Sequence, residues 1–286
     1  MATASKAEKG IENNFSKKIL PGGFTFSVKS RGLTSKKEIA TVVHEALPGT
    51  GILFVAAKAD GGTVEIPARS EFVVNTLRNV VIGREGTRLC IIEHLMAAAT
   101  FWGLEDLVVE IDGPELPLGD GSAAIWLDAL KKIGVAQRKV SPDVTLKEPV
   151  VVSKGDRSIT AIPDDKFSVT YLMDWNHPAI GKRWHTWAAT DVCEDISIAR
   201  TFAPLKEHQL LGLEKDVVSL TEDGFTMPLH FPDEPVRHKL LDLVGDLALI
   251  GFNPMKLKAR FISIKGGHEL DVDLVKKLKQ VIGERA

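Results

Sequence analysis

The second half of the chain carries the run Arg237-His238-Lys239-Leu240-Leu241-Asp242-Leu243. One turn of an α-helix takes about 3.6 residues, so His238 and Asp242 share one helical face, and Asp246 extends that face by another turn. The residues that follow, up to Ile250, are mostly apolar and predict a helix buried in the core. Unpaired charges are costly there, and a bound cation is one remedy. An ordinary helical ion pair is the alternative, because an isolated His-x-x-x-Asp pair is more often that.

A second apolar helix, predicted for residues 93–101, begins with Glu93-His94. Histidine and carboxylate suit zinc, but a catalytic zinc takes three protein ligands and keeps an open position. His94 is the obvious third ligand because it stands where a hydrophobic residue is expected. Glu93 points about 100° away around the helix, where it would lean over the open position as a base. A helix-start carboxylate beside a packed imidazole is the alternative.

A third polar cluster, Lys265-Gly266-Gly267-His268, follows the predicted strand from Arg260 to Ile264. Its two glycines permit backbone angles that other residues avoid, so they could turn His268 into a cleft. A plain turn is the alternative. The occurrence of all three clusters in one chain favours a shared site.

The order of these clusters resembles the UDP-3-O-acyl-N-acetylglucosamine deacetylases of lipid A biosynthesis. The resemblance extends from about Leu33 to Ile282. It also rests on three further motifs: Asp112-Gly113-Pro114-Glu115-Leu116-Pro117-Leu118-Gly119-Asp120-Gly121-Ser122-Ala123, His177-Pro178-Ala179-Ile180-Gly181 and Ala199-Arg200-Thr201-Phe202. It implies a zinc-dependent hydrolase that removes the acetyl group from UDP-3-O-acyl-N-acetylglucosamine and releases acetate. It also implies an α+β fold of two β-α-α-β layered domains, with the helical layers facing each other and the active site between them.

The resemblance further implies a role for each site residue. Zinc would be held by His94, His238 and Asp242. Catalysis would use Glu93 as base, His268 as proton donor, Asp246 as the partner of its imidazolium and Thr201 as support for the carbonyl or oxyanion.

Substrate binding would involve Lys239 and an apolar channel for the acyl chain. The family forms that channel from an insert, which here would fall between about Asp191 and Leu213. Candidate channel residues are Phe202 and Leu210, with Leu205 and Leu211 beside them. Ordinary core or lid packing is the alternative for each of these apolar residues.

Two segments depart from the family pattern. Gly32-Leu33-Thr34-Ser35-Lys36 stands where the family has Gly-Leu-His-Ser-Gly, and Leu211-Gly212-Leu213-Glu214-Lys215-Asp216 replaces a segment of the Gly-Gly-Ser-Leu-Asp-Asn type. Two other functions therefore stay open. One is a paralogous zinc deacetylase for a different N-acetylated sugar. The other is a catalytically silent sugar-nucleotide binding protein, which predicts that a ligand or the base is lost; neither loss is seen.

The organisation of the chain suggests a flexible tail over residues 1–20, a first α+β domain over 21–138, a linker over 139–149 and a second α+β domain with the insert over 150–286. Gly103 is expected to end the first helix, and Ser122 to cap the next. Strands are predicted near 24–29, 39–45, 51–56, 107–111, 150–152, 158–162, 168–173 and 260–264, a hairpin flanked by Trp175, Trp184 and Trp187, and a last helix over 271–282.

Composition limits the partners. The 286 residues carry a net charge of −2, so the chain lacks the overall positive charge that is typical of nucleic-acid-binding proteins. Cys90 and Cys193 lack metal-binding spacing and are expected to be reduced. No apolar run approaches the length of a membrane span, and residues 1–18 lack a signal-peptide core. We therefore expect a cytoplasmic monomer whose partner is its small-molecule substrate.

Overall fold

The computed structural model describes residues 14–58 and 61–283 of this mixed α+β protein. Its first half contains a five-stranded sheet of order β1-β2-β8-β3-β4 and a three-stranded sheet of order β5-β6-β7. In the second strand, Ile39, Thr41 and Val43 are buried alternately, as a strand with one covered face requires. The strands are β1 (Thr25–Arg31), β2 (Glu38–Glu45), β3 (Ile52–Ala57), β4 (Thr63–Pro67), β5 (Val73–Asn75), β6 (Val81–Arg84), β7 (Thr87–Cys90) and β8 (Leu107–Ile111).

Two helices accompany these sheets, α1 (Glu93–Trp102) and α2 (Ala124–Lys132). Every residue of α1 is buried, which fits a helix whose residues after Glu93 and His94 are almost all apolar. Gly103 ends it in the left-handed conformation, as predicted. The Ser122 hydroxyl accepts a hydrogen bond from Ala124 N at 3.1 Å, although the N-cap position itself is Ala123.

The second half forms a sheet of order β10-β11-β16-β12-β13, in which β12 and β16 run parallel and the other neighbours antiparallel. The predicted hairpin with its three tryptophans is the β12–β13 pair. The strands are β9 (Val144–Thr145), β10 (Val150–Lys154), β11 (Arg157–Pro163), β12 (Ser168–Trp175), β13 (Gly181–Ala188), β14 (Phe202–Pro204), β15 (Val218–Leu220) and β16 (Leu257–Ile264). The helices are α3 (Glu194–Ser197), α4 (Leu205–Leu211), α5 (Glu234–Leu247) and α6 (His268–Ile282).

Helix α5 joins the two halves because it packs closely on α1. The closest approach is at Gly245, where an added Cβ would overlap the carbonyl oxygen of Glu93 and lie 2.8 Å from its carbonyl carbon. Buried side chains from both halves form one continuous hydrophobic cluster around this contact. The core of the molecule therefore crosses from one half to the other.

Three predicted boundaries change in the structure. Residues 1–13 of the predicted tail lie outside the described residues, but residues 14–20 are packed against the first sheet. A 3-10 helix spans Asn14–Lys18, and Phe15 is buried with Leu53 and Val55. Leu20 N donates a hydrogen bond to Glu45 O at 2.9 Å. The linker contains β9, which pairs with β16. The last helix starts at His268 rather than Asp271.

Several short strands escaped prediction, among them β4 to β7, because their apolar residues are few and alternate over only a few positions. Cys90 and Cys193 are free thiols, as predicted. Within the described ranges, the helices are too short or too polar to cross a membrane.

The contact at Gly245 yields a stability prediction. Alanine favours helix by about 1 kcal/mol over glycine, but its Cβ would push α1 from α5, and overpacking costs about 1–3 kcal/mol or more. Gly245→Ala should therefore lower the free energy of unfolding in denaturant titration. Gly224→Ala is the control, because its Cβ would meet only Thr221 Oγ1, at 3.7 Å. A variant as stable as the control would contradict close packing at Gly245.

Candidate metal and catalytic centre

Glu93 and His94 enter the centre of the molecule from a sharp turn. Strand β7 ends at Cys90 and α1 begins at Glu93, and Ile91 between them has a φ of 60°. A β-branched residue rarely adopts this left-handed conformation, and such strain persists only where the surroundings enforce it. The turn places both polar residues in the first turn of a fully buried helix.

Helix α5 supplies the facing groups. His238 Nε2 lies 3.3 Å from Asp242 Oδ1, as the four-residue spacing predicts. His94 Nε2 approaches the same oxygen at 3.6 Å, and the two imidazoles meet edge to face with ring centres 5.3 Å apart. The three residues are only 2–5% exposed. Two helices from different halves thus bring three donor atoms to one buried point.

A backbone hydrogen bond orients His238. Its Nδ1–H donates to Ala199 O at 3.0 Å, so Nε2 presents its lone pair toward Asp242. Burial lowers the pKa of His238 to about 4, which keeps the ring neutral. A neutral imidazole with a free Nε2 is the form that binds a metal.

The donor set fits a tetrahedral divalent cation. The candidate ligand atoms of His94, His238 and Asp242 all lie within 4.8 Å of one another. Ligands about 2.0–2.1 Å from a tetrahedral zinc are about 3.3–3.4 Å apart, close to the distances measured to Asp242 Oδ1. Three protein donors leave one position for water or substrate. These residues could therefore hold a metal.

A second group of ionisable side chains adjoins the first. The ligand-type atoms of Glu93, Asp242 and His268 also lie within 4.8 Å of one another. Glu93 Oε2 accepts a hydrogen bond from Val80 N at 3.3 Å. Burial raises the pKa of Glu93, and the charges of His268 and His94 offset only part of that effect. Glu93 is therefore a buried carboxylate beside the possible metal position.

His268 is held by Asp246. Its Nδ1–H donates to Asp246 Oδ2 at 2.7 Å, and its Nε2 lies 4.0 Å from Asp242 Oδ2. Burial alone would lower the pKa of His268, but the charge and hydrogen bond of Asp246 outweigh it and raise the pKa to about 10. The His268 ring is thus held as an imidazolium, and one of its nitrogens lies within 4.8 Å of a carboxylate oxygen of Glu93.

The other predicted residues have different surroundings. Lys239 Nζ donates to Asp242 Oδ2 at 2.6 Å; burial alone would lower its pKa, but the charge of Asp242 raises it. The ring of Phe202 lies 5.2 Å from Trp175 and 6.3 Å from His238. Leu210, on α4, is 81% exposed.

Thr201 belongs to the contact between the halves. Its backbone N–H donates to Gly121 O at 2.7 Å, and its side chain packs on Gly121 so closely that a Cβ there would lie 2.6 Å from Thr201 Cγ2. The segment 199–202 therefore touches the first half on one side and His238 on the other.

An ion pair that sequence reasoning missed fixes this segment. Arg200 Nε and N donate to Glu234 Oε1 at 2.8 and 2.9 Å, and its Nη2 donates to Oε2 at 3.1 Å. Burial alone would raise the pKa of Glu234, but the hydrogen bonds from Arg200 hold it below its ordinary value. Glu234 opens α5, so the pair places Ala199 O opposite His238. The Ala-Arg-Thr-Phe motif was a signal for Arg200, but its partner is 34 positions away.

The unusual loop around Thr34 is tied to Glu115. Thr34 N and Oγ1 donate to Glu115 Oε2 at 3.0 and 2.9 Å, and Ser35 N donates to Oε1 at 2.7 Å. Gly32 is required because a Cβ there would overlap Glu115 Oε1. The departing segment near Gly212 is tied to the first half as well, since Arg31 donates to Gly212 O at 3.1 Å.

Metal binding can be tested by removing one ligand. His238→Ala should abolish stoichiometric divalent metal, measured by elemental analysis after dialysis, because two remaining ligands bind far more weakly. The far-ultraviolet circular dichroism spectrum should persist. His44→Ala is the control, because His44 pairs with Glu110 on the first sheet. Stoichiometric metal in the His238 variant would contradict the assignment.

Comparisons with known proteins agree with this geometry. Residues 24–280 match the family described as LpxC: UDP-3-O-acyl N-acetylglycosamine deacetylase. A curated protein of Thermosynechococcus vestitus named UDP-3-O-acyl-N-acetylglucosamine deacetylase is 35% identical over 259 residues, which cover 87% of this chain and 90% of that protein. Proteins of the same name from Nostoc sp. and Geotalea uraniireducens are 34% and 36% identical over 86% of this chain, and 93% and 83% of theirs. The chain therefore belongs to the UDP-3-O-acyl-N-acetylglucosamine deacetylase family.

Proposed function

We propose that this chain hydrolyses the N-acetyl group of UDP-3-O-acyl-N-acetylglucosamine and releases acetate in lipid A biosynthesis. The names of its relatives support the substrate. The observation that carries the proposal is the meeting of His94, His238 and Asp242 within 4.8 Å, beside a buried Glu93 and His268. Such a set of donors, base and acid suits amide hydrolysis.

The proposed metal is zinc, held by His94, His238 and Asp242. Two imidazoles and a carboxylate are borderline donors of the kind zinc prefers, and the three leave an open position. When bound, zinc supplies polarisation of the amide carbonyl and a lowered pKa for coordinated water, to roughly 7.

The proton transfers belong to the protein. In the proposed mechanism Glu93 takes a proton from the attacking water, and the hydrogen bond from Val80 N holds its carboxylate in place. His268 then donates its Nε2 proton to the amine nitrogen as the C–N bond breaks, because its Nδ1 is engaged by Asp246. The products are acetate and the free amine.

The remaining roles are proposed on weaker contacts. Thr201 would support the developing oxyanion from the segment beside His238. Lys239 would contact the substrate while its Nζ also donates a hydrogen bond to Asp242 Oδ2. Phe202 and Leu210 would line the acyl channel. We also propose that the two halves form facing β-α-α-β layers around this site, and that the enzyme works as a cytoplasmic monomer.

One observation favours a second candidate, a paralogous deacetylase for a different N-acetylated sugar. The loop at residues 32–36 has Thr34 where the family has histidine, and the Thr34 hydroxyl is committed to Glu115. The loop therefore offers a different set of groups to a substrate.

The base can be tested with Glu93→Gln, which keeps the shape of the side chain but cannot take a proton. We expect kcat for acetate release to fall at least ~10²-fold, with metal content unchanged. Glu222→Gln, at an exposed position, serves as the control. Near-normal kcat in the Glu93 variant would mean that another group is the base.

The substrate can be tested by comparing UDP-N-acetylglucosamine with and without a 3-O-acyl chain. Each buried methylene contributes about 0.8 kcal/mol, so the acylated form should have a kcat/KM higher by orders of magnitude. Acetate release measures both. Equal values would reject the lipid A substrate and favour the paralogue, and no release from any N-acetylated sugar would favour a silent binding protein.

A further inference from the structure

The α4 end of the insert carries little apolar burial. Of the seven residues of α4, His208 is buried and the others are partly or fully exposed. After the helix, Leu213 and Val217 form a small cluster with Leu118 of the first half, separate from the main core that contains Phe202. Segments with few buried apolar contacts open at a low free-energy cost. Other contacts must therefore contribute to holding α4 against the first half.

Two cations of the first half bind the C-terminal end of α4. Lys36 Nζ donates a hydrogen bond to Leu210 O at 3.2 Å, and Arg31 Nη1 donates to Gly212 O at 3.1 Å. The last carbonyl groups of a helix have no partner within the helix, and lysine or arginine side chains can satisfy them. Both contacts cross from the end of β1 and the loop after it to the insert.

Two ion pairs join the same surfaces. Arg78 Nη1 lies 2.9 Å from Glu207 Oε2 on α4, and Arg31 Nη1 lies 3.0 Å from Asp216 Oδ2 beyond the helix. All four side chains are partly exposed, so each pair by itself shifts an equilibrium only about 1.5-fold to 5-fold. Contacts from separate positions of the first half act on one short segment, and independent contributions of this kind multiply.

The backbone at two of these cations is a second, independent observation. Lys36 has a φ of 59° and Arg78 a φ of 72°. This left-handed conformation is uncommon for residues other than glycine, and it persists where the surroundings enforce it. The family pattern has glycine at position 36, which adopts the conformation without strain. This chain keeps the conformation but places there a lysine that reaches α4.

We propose that Arg31, Lys36 and Arg78 are specificity-determining residues. They form a cationic clamp that holds α4 against the first half and thereby fixes one wall of the proposed acyl channel, where Lys36 binds the carbonyl of Leu210. A wall held in one position discriminates between acyl chains of different length better than a mobile wall does. The effect on substrate choice rests on the proposed deacetylase function, but the clamp itself is independent of that function.

Amide hydrogen exchange tests the clamp without turnover. In the triple variant Arg31→Gln, Lys36→Gln and Arg78→Gln, the amides of α4 should exchange at least about 5-fold faster than in the wild type, because three exposed contacts are lost together. Mass spectrometry of peptides that cover α4 measures this rate. Lys29→Gln is the matched control, because it breaks an exposed pair with Glu38 inside the first half and should leave α4 unchanged.

A charge exchange and added salt isolate the electrostatic part. Arg78→Glu should speed the exchange of α4, and Arg78→Glu combined with Glu207→Arg should return it to within about 2-fold of the wild type. Salt at ~1 M shortens the screening length to about 3 Å. It should therefore speed the exchange of α4 in the wild type and have little effect in the triple variant.

The chain-length profile tests the effect on specificity. A buried methylene changes kcat/KM about 4-fold, so the wild type should distinguish 3-O-acyl chains of different length in acetate release. In the triple variant, the ratio of kcat/KM between the preferred chain and a shorter one should fall at least about 3-fold. Metal content should not change.

Several results would overturn the inference. Unchanged exchange of α4 in the triple variant would mean that the cluster around Leu213 holds the insert alone. Equal exchange in Arg78→Glu and in the charge-exchanged variant would exclude the ion pair, and it decides the question if the triple variant does not fold. Faster exchange with an unchanged chain-length ratio would refute the role in specificity. If the wild type releases no acetate from any acylated substrate, the proposed function fails and the exchange data alone decide the clamp.

Discussion

A carboxylate in a protein interior needs cations or donors around it, and Lys239 and the cationic His268 are two of the four side chains that surround Asp242. His238, His94 and Lys239 lie at 3.3, 3.6 and 2.6 Å from its oxygens, and His268 at 4.0 Å. Isolated, this charge would be strongly destabilising. Its partners come from α1, α5 and α6, so the helices must meet for the carboxylate to be satisfied. The site and the core are therefore assembled by the same contacts.

Backbone geometry sets how closely these helices approach. Gly245 lets the start of α1 touch α5, since any side chain would displace the Glu93 carbonyl. Ile91 holds a left-handed conformation that costs energy, because the chain must reverse between β7 and α1 within two residues. The burial of both helices offsets that cost. As a result, a glutamate and a histidine lie in the first turn of a buried helix.

Hydrogen bonds from neighbouring groups orient the side chains of the site. Ala199 O directs His238, Val80 N holds Glu93, and Asp246 holds His268. The Arg200–Glu234 pair places the Ala199 carbonyl, so a buried ion pair acts on the site through the backbone. Such partners matter because metal ligands and proton donors work only when their lone pairs and protons point correctly.

The sequence by itself determined what depends on local geometry. The four-residue spacing put His238 and Asp242 on one face, the apolar run around His94 predicted a buried helix, and Gly103 predicted where it ends. The order of motifs identified the family. Short strands such as β5 to β7 and the packed residues 14–20 carried too little periodic signal, because their burial depends on neighbours distant in sequence.

Only the tertiary structure decided which residues meet. Helical spacing gives the direction of a side chain relative to its own helix axis, but not what lies opposite. His94 and Asp242 are 148 residues apart in the sequence, and they approach each other only because α1 packs against α5. The anchoring of Arg200 by Glu234 likewise follows from how the helices and sheets pack. Long-range packing sets these distances, and the residue spacing within one helix or strand cannot predict them.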